Sequence, residues 1–158
     1  MTPQIDYSLA TIHDIPALIA LRIEFLTELF GEQSSENILA LANQLATYFD
    51  KHITDGTYYC YLAKSGDEIA GIGGIIIRER PGGFKPNSGL TGYILNMYTK
   101  EGFRKMGIGK EILHRLVSLG KNLGIGQVEL HATEQGESLY RNYGFKPPNS
   151  LVLEFSCE

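Results

Sequence analysis

The chain has 158 residues, 43% hydrophobic and 20% charged, a balance that fits one ordinary globular domain, residues 1–158, with a single core. Its formal net charge of −4 argues against nucleic acid as a partner, because there is no cationic excess to neutralise a phosphate backbone. The longest near-apolar run, Ile69 to Ile77, is too short to cross a bilayer, so no membrane partner is expected either.

Residues 4–11 alternate loosely through Ile5, Tyr7 and Leu9 and predict a first strand. Thr11 or Asp14 then caps a helix that has Pro16 in its first turn, where a missing N–H costs nothing. Its apolar positions Leu18, Leu21, Phe25 and Leu29 recur at three and four, and Gly31 ends it. Ser34 or Ser35 caps a second helix to about His52, with Ile38, Leu41, Leu45 and Phe49 on one side. Glu24, Glu28, Glu32 and Glu36 decorate the pair, as either a solvated acidic face or an attraction for a cationic substrate.

From Thr57 the period changes to that of strands. TYYCYLAK and EIAGIGGIIIRER read as two strands joined by a turn at SGDE. Gly71, Gly73 and Gly74 do not form GxGxxG and precede more strand, so they mark a bulge or close packing rather than a dinucleotide loop. PGGFKPNSG, residues 81–89, is either a loop beside an active site or a wide hairpin end. Leu90 to Thr99 follows as a strand. A third helix runs from about Gly107 to Leu123, stopped by the glycines of LGIG. GQVELHAT is a fifth strand, Gly136 to Tyr143 a short helix, and SLVLEFS a last strand after Pro147–Pro148. The class is α/β, ordered β-α-α-β-β-β-α-β-α-β.

Cys60 and Cys157 are far apart and form no CxxC, so neither a zinc site nor a disulfide framework is suggested. MTPQIDYSL has no basic region ahead of an apolar run, and a cytoplasmic location is expected.

The chemistry concentrates in Leu95 to Lys110, LNMYTKEGFRKMGIGK. A strand ends in a loop that delivers Arg104, Gly107 and Gly109 into a helix. Helix N-termini hold N–H groups without intrahelical partners and about half a positive charge, and glycine lets a ligand approach the backbone. This is not a Walker A loop, since Gly109–Lys110 is followed by Glu rather than Ser or Thr. Lys105 and Lys110 add positive charge that favours an anion. A second signal is SLYRNYGF; alone, Tyr140 and Tyr143 read as packing aromatics with hydroxyls at the surface.

Together, in this order, the two motifs resemble the GNAT superfamily of N-acetyltransferases. Arg104-x-x-Gly107-x-Gly109 matches that family's pyrophosphate turn, MYTKEGF its lead-in, and LYRNYGF its short C-terminal helix with Gly-Phe. The motifs occupy about the last two-fifths of the chain; the earlier part matches only in element order. The resemblance implies a mixed, mostly antiparallel sheet splayed between its fourth and fifth strands. It implies acetyl-CoA as co-substrate and no metal. Arg104, Lys105, Met106, Gly107, Ile108, Gly109 and Lys110 would hold the pyrophosphate through the Lys105–Lys110 backbone. The main chain of Met97, Tyr98 and Thr99 would pair with pantetheine. Tyr140 would protonate the departing thiolate, for which a phenol is a suitable acid. Direct attack by an amine on the thioester needs no enzyme nucleophile, in keeping with the lack of a Cys/His pair.

Two departures accompany it. Thr133 stands where relatives often show Asn, seven residues before the helical Tyr, which alters that cofactor contact. Leu90 to Thr99 also contains no carboxylate to act as base. Asn96 and Tyr98 ordering a water, or Glu24, Glu79, His131 and Glu134, are the candidates; His131 reads more readily as a satisfied core histidine. The base is unassigned. The acceptor is a small-molecule or peptide amine set by the first two helices and the 81–89 loop, and the protein is a monomer or homodimer. The competing reading is a non-catalytic acyl-CoA sensor. An acyl group longer than acetyl also stays open.

Overall fold

The computed structural model describes residues 2–85 and 88–158. Five strands make one sheet in the order β1-β2-β3-β4-β5. They are β1 (Asp6–Leu9), β2 (Tyr58–Ser65), β3 (Glu68–Glu79), β4 (Leu90–Thr99) and β5 (Gln127–Leu130). β1 to β4 pair antiparallel as a meander, and only β5 joins in parallel, after a helical crossover. α1 (Ile15–Phe30) and α2 (Ser35–Thr54) cover one face, while α3 (Ile108–Asn122) and the short α4 (Glu137–Tyr143) pack on the other.

Both candidate caps before α1 are used together. Thr11 and Asp14 form a reciprocal capping box around a 3-10 turn, Ile12–Asp14, that leads into α1. Ser34 caps α2 by accepting from the Asn37 N–H at 3.1 Å. α3 buries Ile108, Ile112, Leu113, Leu116 and Val117, a two-sided apolar stripe against β2, β3 and β4.

The β3/β4 ladder contains a bulge. Ile72 faces Tyr98 and Gly74 faces Leu95, so Met97 and Asn96 together oppose Gly73. Asn96 takes φ +58°, a left-handed conformation that asparagine tolerates better than most residues. The extra residue breaks the alternation. Tyr93, Leu95 and Tyr98 lie with the α1/α2 core, whereas Ile94 and Met97 lie with α3. Gly73 is required here, because a Cβ would collide with Met97 and Ile112.

The structure departs from the sequence reading in three places. No strand forms over residues 150–156, and Leu151, Val152, Leu153 and Phe155 lie exposed beyond Pro147–Pro148. Alternation alone does not make a strand; its backbone groups must pair with a neighbouring edge, and this segment pairs with none, although the outer edge of β5 carries no ladder among the described residues. β5 is shorter than expected, with His131 to Thr133 outside the sheet. Leu29 and Ile38, placed by period on buried helix faces, are at the surface where the α1–α2 corner outruns the sheet. Of the 81–89 connection, residues 86 and 87 lie outside the described residues. Its ends close as a hairpin, the Arg80 N–H donating to Gly89 O at 2.8 Å.

Candidate active site

Pairing between β4 and β5 runs from Thr91–Gln127 to Ile94–Leu130 and then stops. Beyond Ile94, the β5-facing edge of β4 is free of ladder contacts among the described residues, which opens the sheet into a V along Leu95–Thr99. Edge backbone of this kind offers N–H and C=O groups to an extended ligand. Met97 and Thr99 are half-buried on this stretch and Tyr98 is buried.

After β4 the chain makes a 3-10 turn, Glu101–Phe103, and enters the glycine turn. Lys105 (φ +62°) and Gly107 (φ +81°) are both left-handed, on either side of Met106. Left-handed residues interleaved in this way are the backbone geometry from which anion-binding nests are made. Among the described residues, the N–H groups from Lys105 to Lys110 have no protein acceptor, and the intrahelical series resumes with Glu111 N–H to Gly107 O at 3.0 Å. No atom lies within 4 Å of a Cβ built on Gly107, so the concavity is open. Lys105 and Lys110 are exposed beside it, and neither is ion-paired among the described residues.

Arg104 behaves differently from its neighbours in the motif. Its Nε donates to Thr99 O at 2.8 Å, and Nη2 donates to the Glu28 carboxylate at 2.8 Å. The guanidinium thus ties the end of β4 to α1 and fixes where the turn begins. Glu28 is held below the usual glutamate range, first by the hydrogen bond from the Tyr98 hydroxyl and then by Arg104. The Tyr98 phenol is pushed well up by burial and by donating to Glu28 at 2.6 Å and Glu24 at 3.0 Å.

Tyr140 is buried in the same packed cluster as Met97 and Ile108. Its hydroxyl has no protein partner among the described residues, and burial raises its pKa, so it stays protonated at neutral pH. Thr133 Oγ1 accepts from the Gly136 N–H at 3.1 Å and shapes the turn into α4. A Cβ built on Gly136 would press on both Thr133 Oγ1 and the Tyr140 ring, so glycine lets the two side chains share this turn.

The α1/α2 face holds a polar network that the sequence did not disclose. Arg22 donates to Asn96 Oδ1, and Asn96 Nδ2 donates to the buried Tyr58 hydroxyl at 3.1 Å. Asn96 is therefore committed on both amide atoms rather than free to order a water. Arg22 was legible only as an anomaly: it follows Leu18 by four and precedes Phe25 by three, on the apolar stripe of α1. Of the other candidate bases, Glu79, His131 and Glu134 are all exposed. His131 is not a core residue; it stands edge-on to Tyr93 with ring centroids 5.6 Å apart. Among the described residues, no three His, Cys, Asp or Glu side chains gather as a metal site.

A sheet that splays beside a glycine turn with unpartnered N–H groups suits a long, phosphate-bearing ligand. Known proteins agree. The model of the acetyltransferase (GNAT) family matches residues 19–145. An uncharacterized N-acetyltransferase of Bacillus subtilis (strain 168), YvbK, is 30% identical over 132 residues, covering 80% of this chain and 75% of the relative. A predicted acetyltransferase of Clostridium acetobutylicum, crystallised with acetyl-CoA, is 26% identical with a TM-score of 0.87, covering 96% of both chains. A GCN5-related N-acetyltransferase of Ralstonia eutropha JMP134 shares the fold at 24% identity and a TM-score of 0.83, over 96% of this chain and 99% of that one. The chain belongs to the acetyltransferase (GNAT) family, and its activity is acetyl-CoA-dependent acetyl transfer.

Proposed function

We propose that this protein acetylates the primary amine of a small molecule or peptide by direct attack within a ternary complex. The observation that carries the reading is the run of six unpartnered N–H groups at Lys105–Lys110, leading on from the open edge of β4. Acetyl-CoA supplies the acetyl group as a thioester. The nest binds its pyrophosphate, with Lys105 and Lys110 adding charge and the Arg104 side chain bracing the turn. The backbone of Met97 to Thr99 pairs with the pantetheine amides in the V. An N–H of the same strand is placed to stabilise negative charge on the carbonyl oxygen as the amine adds.

Tyr140 acts at the sulfur. A phenol raised by burial keeps its proton at neutral pH and donates it as the thiolate departs. No side chain forms a covalent bond in this route. The amine must arrive neutral. Glu24, exposed and bonded only to the Tyr98 hydroxyl among the described residues, is the carboxylate nearest the reacting strand that can take a proton through water.

Calorimetry with acetyl-CoA tests the reading. Gly107→Glu places a carboxylate in the nest and should weaken binding about a hundredfold or more, equivalent to about 2.7 kcal/mol. Gly107→Ala carries the same left-handed penalty of roughly 1 kcal/mol without the charge, and should bind far better than the Glu variant. Equal binding by wild type and Gly107→Glu would remove the nest from the site.

A further inference from the structure

The charges on the α1/α2 face do not fit a cationic acceptor. Glu28, the carboxylate closest to β4, is already neutralised by Arg104, and Glu24 is bonded to Tyr98. What lacks a counterion is positive. Arg22 is half-buried, and its hydrogen bond goes to the neutral amide of Asn96, two residues past the point where β4 and β5 part. Among the described residues no carboxylate lies within 4 Å of its guanidinium. That leaves most of its five N–H donors unused.

A second guanidinium without a carboxylate partner among the described residues lies on β3, where Arg78 stacks on the Tyr93 ring with Cζ 4.6 Å from the centroid. Its register partner is Thr91, so it stands nearer the start of β4 than Asn96 and the Arg22 contact. Asn96 holds Arg22 rigidly, because its own amide is oriented by Tyr58 and its backbone is locked in the bulge. A half-buried cation fixed by neutral partners beside an open cleft is a group prepared for an anion, since leaving it uncompensated is costly.

Building on the acetyl-transfer reading, we infer that the acceptor carries an anionic group, a carboxylate or a phosphate monoester, beside its amine, and that Arg22 binds it. The amine would then enter the V with its charge-bearing end held against α1. In this arrangement Glu28 serves the fold through Arg104, and Glu24 takes the proton rather than recognising the acceptor.

The test compares amines that differ only in the anion: L-phenylalanine against phenethylamine, and 2-aminoethyl phosphate against ethanolamine, with CoA thiol release as the readout. An anionic member should exceed its plain counterpart about tenfold or more in kcat/KM, as expected when a built polar site meets its partner. The pair that responds identifies carboxylate or phosphate. Arg22→Gln should raise KM for that anionic amine about tenfold while changing kcat and the plain amine less than about twofold, and Arg22→Lys should recover part of the loss. Plain amines preferred, neither member of either pair turned over, or Arg22→Gln acting equally on both members, would overturn the inference. Calorimetry with acetyl-CoA on the same samples separates the two claims. Absent acetyl-CoA binding sinks the donor site, whereas normal binding without anion preference sinks this inference alone.

Discussion

The two faces of the sheet are built from different materials. On the α3 side the core is almost wholly aliphatic: Ile75, Ile94, Ile108, Ile112, Leu113 and Leu116, all but inaccessible. Across the sheet, the α1/α2 side mixes Phe49, Tyr58 and Tyr98 with the buried amide of Asn96 and the half-buried Arg22. On the proposed reading, the aliphatic face is a platform whose recognition groups are main-chain N–H at the end of a helix. The aromatic face, on the same reading, carries its recognition in side chains held by hydrogen bonds. A donor common to a whole family suits the first kind, because backbone donors do not change when residues do. A particular acceptor suits the second, because side chains can be exchanged without moving the frame.

If the faces are independent, damage to one should spare the other. Phe49, fully buried, packs on Tyr58 and Tyr48 with centroids 5.4 and 5.6 Å apart. Phe49→Ala should cost about 3–5 kcal/mol of stability by thermal or urea unfolding. Acetyl-CoA affinity of the folded fraction should stay within about twofold of wild type, by the additivity of distant sites. A parallel fall in affinity would show that the platform depends on the aromatic face.

Tyr140→Phe should lower kcat about a hundredfold, the lower range for a general acid, with acetyl-CoA binding kept. Its pH profile carries the sign. The acid must be protonated to act, and burial raises its pKa, so the limb that Tyr140 contributes to the wild-type kcat profile should lie on the alkaline side, above the ordinary phenol value of about 10. The variant should lack that limb. Wild-type turnover by Tyr140→Phe would exclude the hydroxyl from the mechanism.

Asn96→Gly keeps the left-handed backbone but strips Arg22 and Tyr58 of their shared partner. A loss of roughly 1–3 kcal/mol is expected, with a raised KM for the acceptor and an unchanged Kd for acetyl-CoA. Unfolding curves and the two constants check it together.

Glu28→Gln should have the smallest effect, below about 1 kcal/mol, because the Arg104 pair is partly solvated. Glu28 is depressed in the folded protein, so its contribution is present above the unfolded glutamate pKa and fades as pH falls through the lower folded value. The variant should match wild type more closely at acid pH than at neutral pH. An equal difference at both would mean the ion pair contributes nothing.

The glycine turn and the α3 helix behind it were largely legible in the amino-acid order, and the polar network on the α1/α2 face was not. Gly107 announces the turn because few other residues tolerate its left-handed backbone, and the α3 stripe announces the helix behind it. The Lys105 conformation that completes the nest carries no such mark, since lysine is not a residue that signals positive φ. Arg104 sits in the motif, yet its contact with Glu28 spans 76 positions and could not be read from spacing. Likewise SLVLEFS alternates as a strand should, yet it forms no pairing and lies outside the sheet.

By itself the sequence determined the succession of elements, the glycine turn and the placement of Tyr140, all features written within a few residues of one another. Local spacing and backbone preference are enough to fix them. The tertiary structure alone decided that β4 bulges at Asn96, that β5 leaves it at Ile94, and that Arg22 meets the opening without a counterion. Those depend on contacts such as Arg22 with Asn96, 74 positions apart, which exist only once the helices have closed over the sheet.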